Sequence, residues 1–324
     1  MTTVSLREAP RDGAETDDLR DAALRGLAQP RKAIPAKFLY DAQGSALFDA
    51  ICELPEYYPT RTEFAILRAR AGAIAALVGP GAALVEFGGG SCVKARILLD
   101  ALPAPAAYVP VDVSGAHLER AAAALAADYP QLPVVAVCAD YMRPFRLPAV
   151  AQAAAKRVGF FPGSTIGNLR PEEARAFLVH AARLLGRPGG ELIVGVDLKK
   201  SPALLHAAYN DAAGVTAAFS LNLLARMNRE LDADFDLRRF AHDALYNAAR
   251  GRIEIYLRSL AEQSVTVAGR RVRFTAGERI HTEYSYKYTV EEFRTLAAEA
   301  GFSAVETWTD PAQLFAVHYL RASG

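Results

Sequence analysis

Cysteine is scarce: Cys52, Cys92 and Cys138 are the only three in 324 residues, and no two form a C-x-x-C pair. An odd, sparse set argues against a disulfide framework and fits a reducing cytoplasm. No apolar run reaches the roughly 18 residues needed to span a bilayer, and the N-terminus is charged and lacks a signal-peptide core. Excess charge of one sign is missing too. Lys and Arg number 37 against 36 Asp and Glu, a net +1, which gives no electrostatic case for nucleic acid or an anionic membrane. The six histidines (His117, His180, His206, His242, His281, His318) are scattered, without H-E-x-x-H or other metal-ligand spacing, and read as surface or satisfied core residues. No metal is expected. There are no repeats and no low-complexity tract.

What is present is an ordinary globular composition, 52% apolar and 23% charged, with enough chain for one large domain or two smaller ones. The organising stretch is Leu84-Val-Glu-Phe-Gly-Gly-Gly-Ser-Cys-Val-Lys94. It reads as a buried strand over residues 82–87, a glycine turn, and a helix from Lys94 to Leu102. A turn without Cβ atoms lets a ligand approach the main chain. Its spacing is neither the phosphate-cradling G-x-x-x-x-G-K-[ST] nor the dinucleotide G-x-G-x-x-G. An acid just before the glycines, here Glu86, is common in methyltransferases that use S-adenosylmethionine.

Apolar periodicity predicts an amphipathic helix over residues 62–77. Further strands are expected at 107–112, 134–138, 158–161 and 191–197, alternating with helices. Ser114 is placed to cap the helix at 116–127, and Pro171 suits the first position of a helix reaching Leu185. This alternation means a mostly parallel, doubly wound α/β sheet whose ligands sit outside the C-terminal strand ends. Gly88, Asp112, Asp140-Tyr141 and the loop from Gly163 to Asn168 all fall at those ends. Alone, each acid would serve as a solvated cap. Together they form an adenosine site: Asp112 accepts from a ribose diol, and Asp140-Tyr141 meets the adenine ring. The missing dinucleotide register favours S-adenosylmethionine over NAD. Asn168 offers an acceptor and two donors that could orient an amine and a carboxylate, or it caps the following helix; spacing alone leaves both open.

After the fifth strand the pattern changes. Residues 202–228 read as helices. Residues 252–258, 264–267 and 271–274 alternate with period two around an Ala268-Gly269 turn. The parent domain resumes at Thr289-Val-Glu-Glu292, a capping box, and ends in an antiparallel pair at 304–309 and 314–320. Residues 1–30 read as a loose arm with one short helix.

Four blocks in order carry a resemblance: Tyr40-Asp-Ala-Gln-Gly-Ser-x-Leu-Phe48, Leu54-Pro-Glu-Tyr-Tyr-Pro-Thr-Arg-x-Glu63, Gly163-x-Thr-Ile-Gly-Asn168 and Thr282-Glu-x-Ser-x-Lys287. They resemble the histidine-specific methyltransferases of ergothioneine biosynthesis, over nearly the whole chain beyond residue 30. The resemblance implies a class I methyltransferase domain (62–197 and 288–324) and an α+β substrate-binding domain (31–61 and 198–287). It implies transfer of three methyl groups from S-adenosylmethionine to the α-amine of L-histidine, giving hercynine and S-adenosylhomocysteine. Cofactor contacts carried over by motif are Gly88, Lys94, Asp112, Asp140 and Tyr141, with Tyr40 nearby. Substrate contacts are Tyr57, Gly163, Asn168, Tyr209, Ile255, Glu283 and Ser285. Asn168 and Tyr209 would take the α-carboxylate, Tyr57 the amine, and Glu283 with Ser285 the two imidazole nitrogens; Tyr40 or water would carry the proton away. Ile255 stands where the family often has methionine. The protein is expected to be a cytoplasmic monomer acting on a small-molecule amino acid. Alternatives are a same-fold enzyme for tryptophan or tyrosine, a nucleotide-dependent oxidoreductase, or a non-catalytic binding module.

Overall fold

A computed structural model describes residues 7–8, 18–186 and 189–323. In chain order the first elements are β1 (Arg7–Glu8), α1 (Leu19–Leu27), α2 (Ala42–Cys52), α3 (Tyr58–Val78), β2 (Ala82–Phe87), α4 (Val93–Ala101), β3 (Ala107–Asp112) and α5 (Gly115–Asp128). Then come β4 (Val137–Cys138), α6 (Ala149–Gln152), β5 (Lys156–Phe161), α7 (Pro171–Leu185), β6 (Glu191–Asp197), α8 (Pro202–Tyr209) and α9 (Val215–Glu230). The rest are β7 (Phe240–Asn247), β8 (Arg252–Ser259), β9 (Gln263–Val267), β10 (Arg270–Phe274), β11 (Arg279–Tyr286), α10 (Val290–Glu299), β12 (Phe302–Thr309) and β13 (Phe315–Ala322). Among the described residues no helix is long and apolar enough to cross a membrane.

The chain forms two compact units. One comprises Pro59–Lys199, Lys287–Gly324 and β1; the other comprises residues 18–58 and Lys200–Tyr286. The first holds an eight-stranded sheet in the order β1-β4-β3-β2-β5-β6-β13-β12. Its strands through β6 pair in parallel, and β13 and β12 close the edge antiparallel. This is the mostly parallel, doubly wound sheet anticipated from the alternation. All residues of β2 and β6 are buried, which is why both read as mostly apolar runs, β2 broken only by Glu86 and β6 bounded by Glu191 and Asp197. Strand order reverses about β2, with β3 on one side and β5 on the other, so the ligand crevice of such folds lies where β2 and β5 end. Lys287 and Asp197, both fully buried, form an ion pair of 2.7 Å that ties the chain leaving β11 to the end of β6.

In the second unit α2 packs on α9. The Asp41 carboxylate caps α2 through the Gly44 N–H (2.7 Å) and accepts from Asn222 (2.7 Å) and Arg229 (2.5 Å) of α9. Strands β11-β8-β7 form one antiparallel sheet, and β9 and β10 a separate hairpin turning at Ala268 and Gly269, both with positive φ.

Some expectations are corrected. The third strand, expected over 134–138, is regular only at Val137–Cys138. Pro133 O and the Val135 N–H bond Tyr108, but the ladder partner two residues on is Pro110, which has no N–H to donate. Helix α3 begins four residues early, at Tyr58, because Pro59 is tolerated in a first turn. Ser114 makes no side-chain cap; its own N–H is held by Asp112. Strand β7 was not foreseen, since its burial does not alternate. The Thr289–Glu292 capping box and Pro171 at a helix start are both present. Half of the N-terminal arm, residues 1–6 and 9–17, lies outside the described residues; its one short helix is α1.

Candidate active site

In the first unit, the parallel strands β3, β2 and β5 end on one edge. Gly88 leaves β2 with φ +72°, a conformation suited to glycine, and donates to Val111 O at 2.8 Å. A Cβ on Gly90 would stand 3.6 Å from Asp112 Oδ2, so the glycine turn and that carboxylate border the same space. Asp112 Oδ1 accepts the Ser114 N–H at 2.9 Å, and burial pushes the carboxyl above its ordinary range. Asp140 Oδ1 accepts the Met142 N–H at 3.0 Å, and its Oδ2 faces Arg143 at 3.8 Å. The Tyr141 ring lies against Phe161 and Phe177, at 5.6 and 5.9 Å, and a Cβ on Gly88 would stand 3.9 Å from it. Burial raises the Tyr141 phenol, so it stays protonated. Gly88, Asp112, Asp140 and Tyr141 therefore gather on one sheet edge: open main chain, two acids and an aromatic face. That set of groups, with carboxylates to accept from hydroxyls, fits a nucleoside carrying a ribose diol.

Lys94, in the first turn of α4, places Nζ 2.6 Å from Glu63 Oε2. The same carboxylate accepts the Gly163 N–H at 2.8 and 3.0 Å. Glu63 thus joins α4 to the loop after β5; it closes one of the four motif blocks, but the sequence reading assigned it no role in the site. The signal was there: Glu63 falls on the Leu67–Ile74 stripe of α3, where a charged residue must find a buried partner. Asn168 ends a 3-10 turn over Thr165–Asn168. The cap of α7 is Arg170, paired with Glu173, so helix capping no longer accounts for Asn168.

In the second unit, Tyr40, Phe48, Phe219, Tyr57 and Tyr209 form a chain of ring contacts with centroids 5.4–6.4 Å apart. Phe219 was missed, because an aromatic at helical spacing in α9 reads as plain core. The Tyr209 hydroxyl is 2.9 Å from Ser285 Oγ. Glu283 and Ser285, two apart on β11, are both buried, and Tyr284 between them turns the other way to stack on Arg252. A β-bulge lies between His281 and Glu283, resetting which residues of β11 face inward. Ile255 stands directly opposite Glu283, and Ala244 opposite Ile255. Burial, reinforced by Tyr209, Cys52, Tyr40 and Glu283, holds the Tyr57 phenol well above its usual range, so it acts as a hydroxyl. Within this unit the predicted residues Tyr40, Tyr57, Tyr209, Ile255, Glu283 and Ser285 converge. Together they offer hydroxyls, one carboxylate and aromatic walls, a set suited to a small polar molecule with a cationic or methylated nitrogen.

A family model described as histidine-specific methyltransferase, SAM-dependent, matches residues 19–322. The chain is 44% identical over 316 residues to a histidine N-alpha-methyltransferase of Mycolicibacterium smegmatis, covering 96% of this chain and 97% of that protein. It is 42% identical over 299 residues to the protein of the same name from Mycobacterium tuberculosis, covering 91% and 92% of the two chains. It is 31% identical over 288 residues to ergothioneine biosynthesis protein 1 of Neurospora crassa, covering 86% of this chain and 32% of that larger protein.

Proposed function

From this chain's membership of the histidine-specific, S-adenosylmethionine-dependent methyltransferases, to which it belongs, we propose that it trimethylates the α-amine of L-histidine to give hercynine, a step of ergothioneine biosynthesis. When bound, the cofactor supplies an electrophilic methyl on a sulfonium. The chain's own task is to hold the acceptor in line, a proximity effect worth up to roughly 7–11 kcal/mol. Gly88, Lys94, Asp112, Asp140 and Tyr141 are assigned to the cofactor, with Tyr40 nearby. Asn168 and Tyr209 are assigned to the α-carboxylate, with Gly163 lining the same place, and Tyr57 to the amine. Tyr40 or water takes the proton released from that amine.

Glu283 and Ser285 bond the two imidazole nitrogens, with Ile255 as the apolar wall. The observation that carries this choice of side chain is that pair: both are buried, at 8% and 5% exposure, on one face of β11. A site that hydrogen-bonds a side chain rejects analogues lacking those groups, because its own buried polar atoms are left unpaired. As methyl groups replace N–H bonds, the aromatic faces around Tyr57 favour the growing cationic ammonium while carboxylate and imidazole contacts keep the intermediates in place.

We assign 62–197 and 288–324 to the cofactor domain and 31–61 and 198–287 to the substrate domain; the division of the compact units at 58/59, 199/200 and 286/287 supports this. We take the protein to be a cytoplasmic monomer without nucleic-acid or membrane partners. The near-neutral charge and sparse free cysteines support that reading.

Mass spectrometry of histidine incubated with the protein and S-adenosylmethionine should show the trimethylated product, and Glu283→Ala should lower kcat/KM for histidine by at least tenfold. Absence of any methylated histidine overturns the function. Undiminished turnover by Glu283→Ala overturns the imidazole assignment.

A further inference from the structure

Tyr209 is the last residue of α8, so its carbonyl is among those that a helix end leaves without an internal partner. His242 of β7 supplies that partner: its Nε2 lies 2.8 Å from Tyr209 O. A carbonyl only accepts, so Nε2 carries the hydrogen. Nδ1, 2.9 Å from Ser220 Oγ of α9, then accepts the serine hydroxyl. Ser220 is 1% exposed, so the ring is anchored from the far side by a group that cannot turn to water. Burial lowers the His242 pKa, with Asp243 and Asp211 opposing, which fits the neutral ring this geometry requires.

A second tie lies alongside. Asn210 Nδ2 donates to Ala244 O at 3.1 Å and to His206 O at 3.0 Å. The end of α8 is therefore held to β7 at two alternate residues, 242 and 244. At the other end of the Tyr209 side chain, the hydroxyl meets Ser285 at 2.9 Å. Ala244 is opposite Ile255, and Ile255 opposite Glu283, so β7 is in register with the strand pair carrying the imidazole contacts.

We propose that His242 is a positioning residue for the amino-acid site: by fixing the Tyr209 carbonyl against β7 it sets where the Tyr209 hydroxyl stands relative to Ser285. This rests on the assignment of Tyr209 and Ser285 to histidine. A side chain that only supported the fold would affect both substrates alike; a positioning residue affects histidine saturation and acts through Tyr209.

The test compares histidine KM with S-adenosylhomocysteine affinity, the latter by calorimetry, in His242→Leu, His242→Asn and His242→Gln. The glutamine amide can reach Tyr209 O; the asparagine amide stops short, and leucine has no donor. Histidine KM should rise about tenfold in the leucine and asparagine variants, the size of one lost buried hydrogen bond, and should largely recover in the glutamine variant. S-adenosylhomocysteine affinity should stay within about twofold. In a Tyr209→Phe background, removing the His242 donor should add less than about twofold to histidine KM, because the hydroxyl it positions is gone. Where His242→Leu loses S-adenosylhomocysteine binding, the asparagine–glutamine pair makes the same comparison. If histidine KM does not differ between the donor-bearing and donor-lacking variants, or the effects add fully to that of Tyr209→Phe, the positioning role is overturned. If Tyr209→Phe alone leaves histidine KM unchanged, the assignment of Tyr209 to the substrate fails, and the positioning role with it.

Discussion

Two buried glutamates in the first unit have opposite surroundings. Glu86, on β2, is enclosed by apolar strands and bonded by the Tyr108 hydroxyl; burial pushes its carboxyl up to about 7 despite that hydrogen bond. Glu63, on α3, is bonded by two donors: the Lys94 ammonium at 2.6 Å and the Gly163 N–H at 2.8 Å. A carboxylate so placed resists replacement, because each donor loses its partner with it. Glu63→Ala should therefore destabilise the unit by about 3 kcal/mol, the low end for a broken buried pair, since Lys94 keeps 17% exposure. Adding Lys94→Met should recover part of that loss by removing the stranded cation. Urea unfolding of the single and double variants measures both. A single-variant cost under about 1 kcal/mol would mean that water replaces the carboxylate, and Glu63 would not be what joins Lys94 to the Gly163 loop.

The space for Glu63 comes from another element. Gly195 is in the middle of β6, and a Cβ there would lie 2.0 Å from Glu63 Oε1 and 3.0 Å from the Phe315 ring. The carboxylate is pinned from two sides, so Gly195→Ala forces helix, strand or ion pair to shift. The expected loss is about 1–3 kcal/mol. The same variant should also bind S-adenosylhomocysteine several-fold more weakly by calorimetry, through Lys94. Unchanged affinity with reduced stability would confine the Glu63 contact to packing. This pairing also marks the limit of what the sequence carried. Strands buried on both faces were readable as apolar runs, and the polar residues ending them were readable as a site edge, because both signals are local. Glu63 with Gly195, or His242 with Tyr209, are matches between elements far apart in the chain, and neither residue's neighbours announce the partner. Strand β4 failed for a related reason: its apolar residues were plain, but the interruption comes from Pro110 on the adjacent strand. The inward-facing order of β11 likewise depends on a bulge that alternation alone does not show.

Across the molecule, acid sensitivity follows from groups the fold buries in one charge state. His318, on β13, is fully buried, with Nδ1 3.1 Å from Thr307 Oγ1 and its ring 4.7 Å from that of Phe293. Burial, with the Arg294 charge adding, lowers its pKa from 6.5 to about 3. The folded chain therefore stays neutral at this site while the unfolded chain takes up a proton below pH 6.5. Stability from this residue is complete above that value and drains as pH falls toward 3. At pH 5 the loss is about 2 kcal/mol. Glu86 works the other way, losing stability as pH rises from 4.5 through about 7, so the summed profile of the wild type does not isolate either group. A difference does. In His318→Leu, Glu86 titrates as before, and the Thr307 hydroxyl, which still accepts from Arg294 at 2.9 Å, loses one partner at the same cost at every pH, so only the histidine term changes. The fall in unfolding free energy between pH 7.5 and pH 5 should be about 2 kcal/mol smaller in the variant than in the wild type. Trp308, the single tryptophan, lies on β12 opposite Val317, so its fluorescence in a urea titration reports the unit that contains His318. Equal pH dependence in the two proteins would mean that His318 is protonated in the folded chain too, and that water reaches the Nε2 atom the fold encloses without a partner.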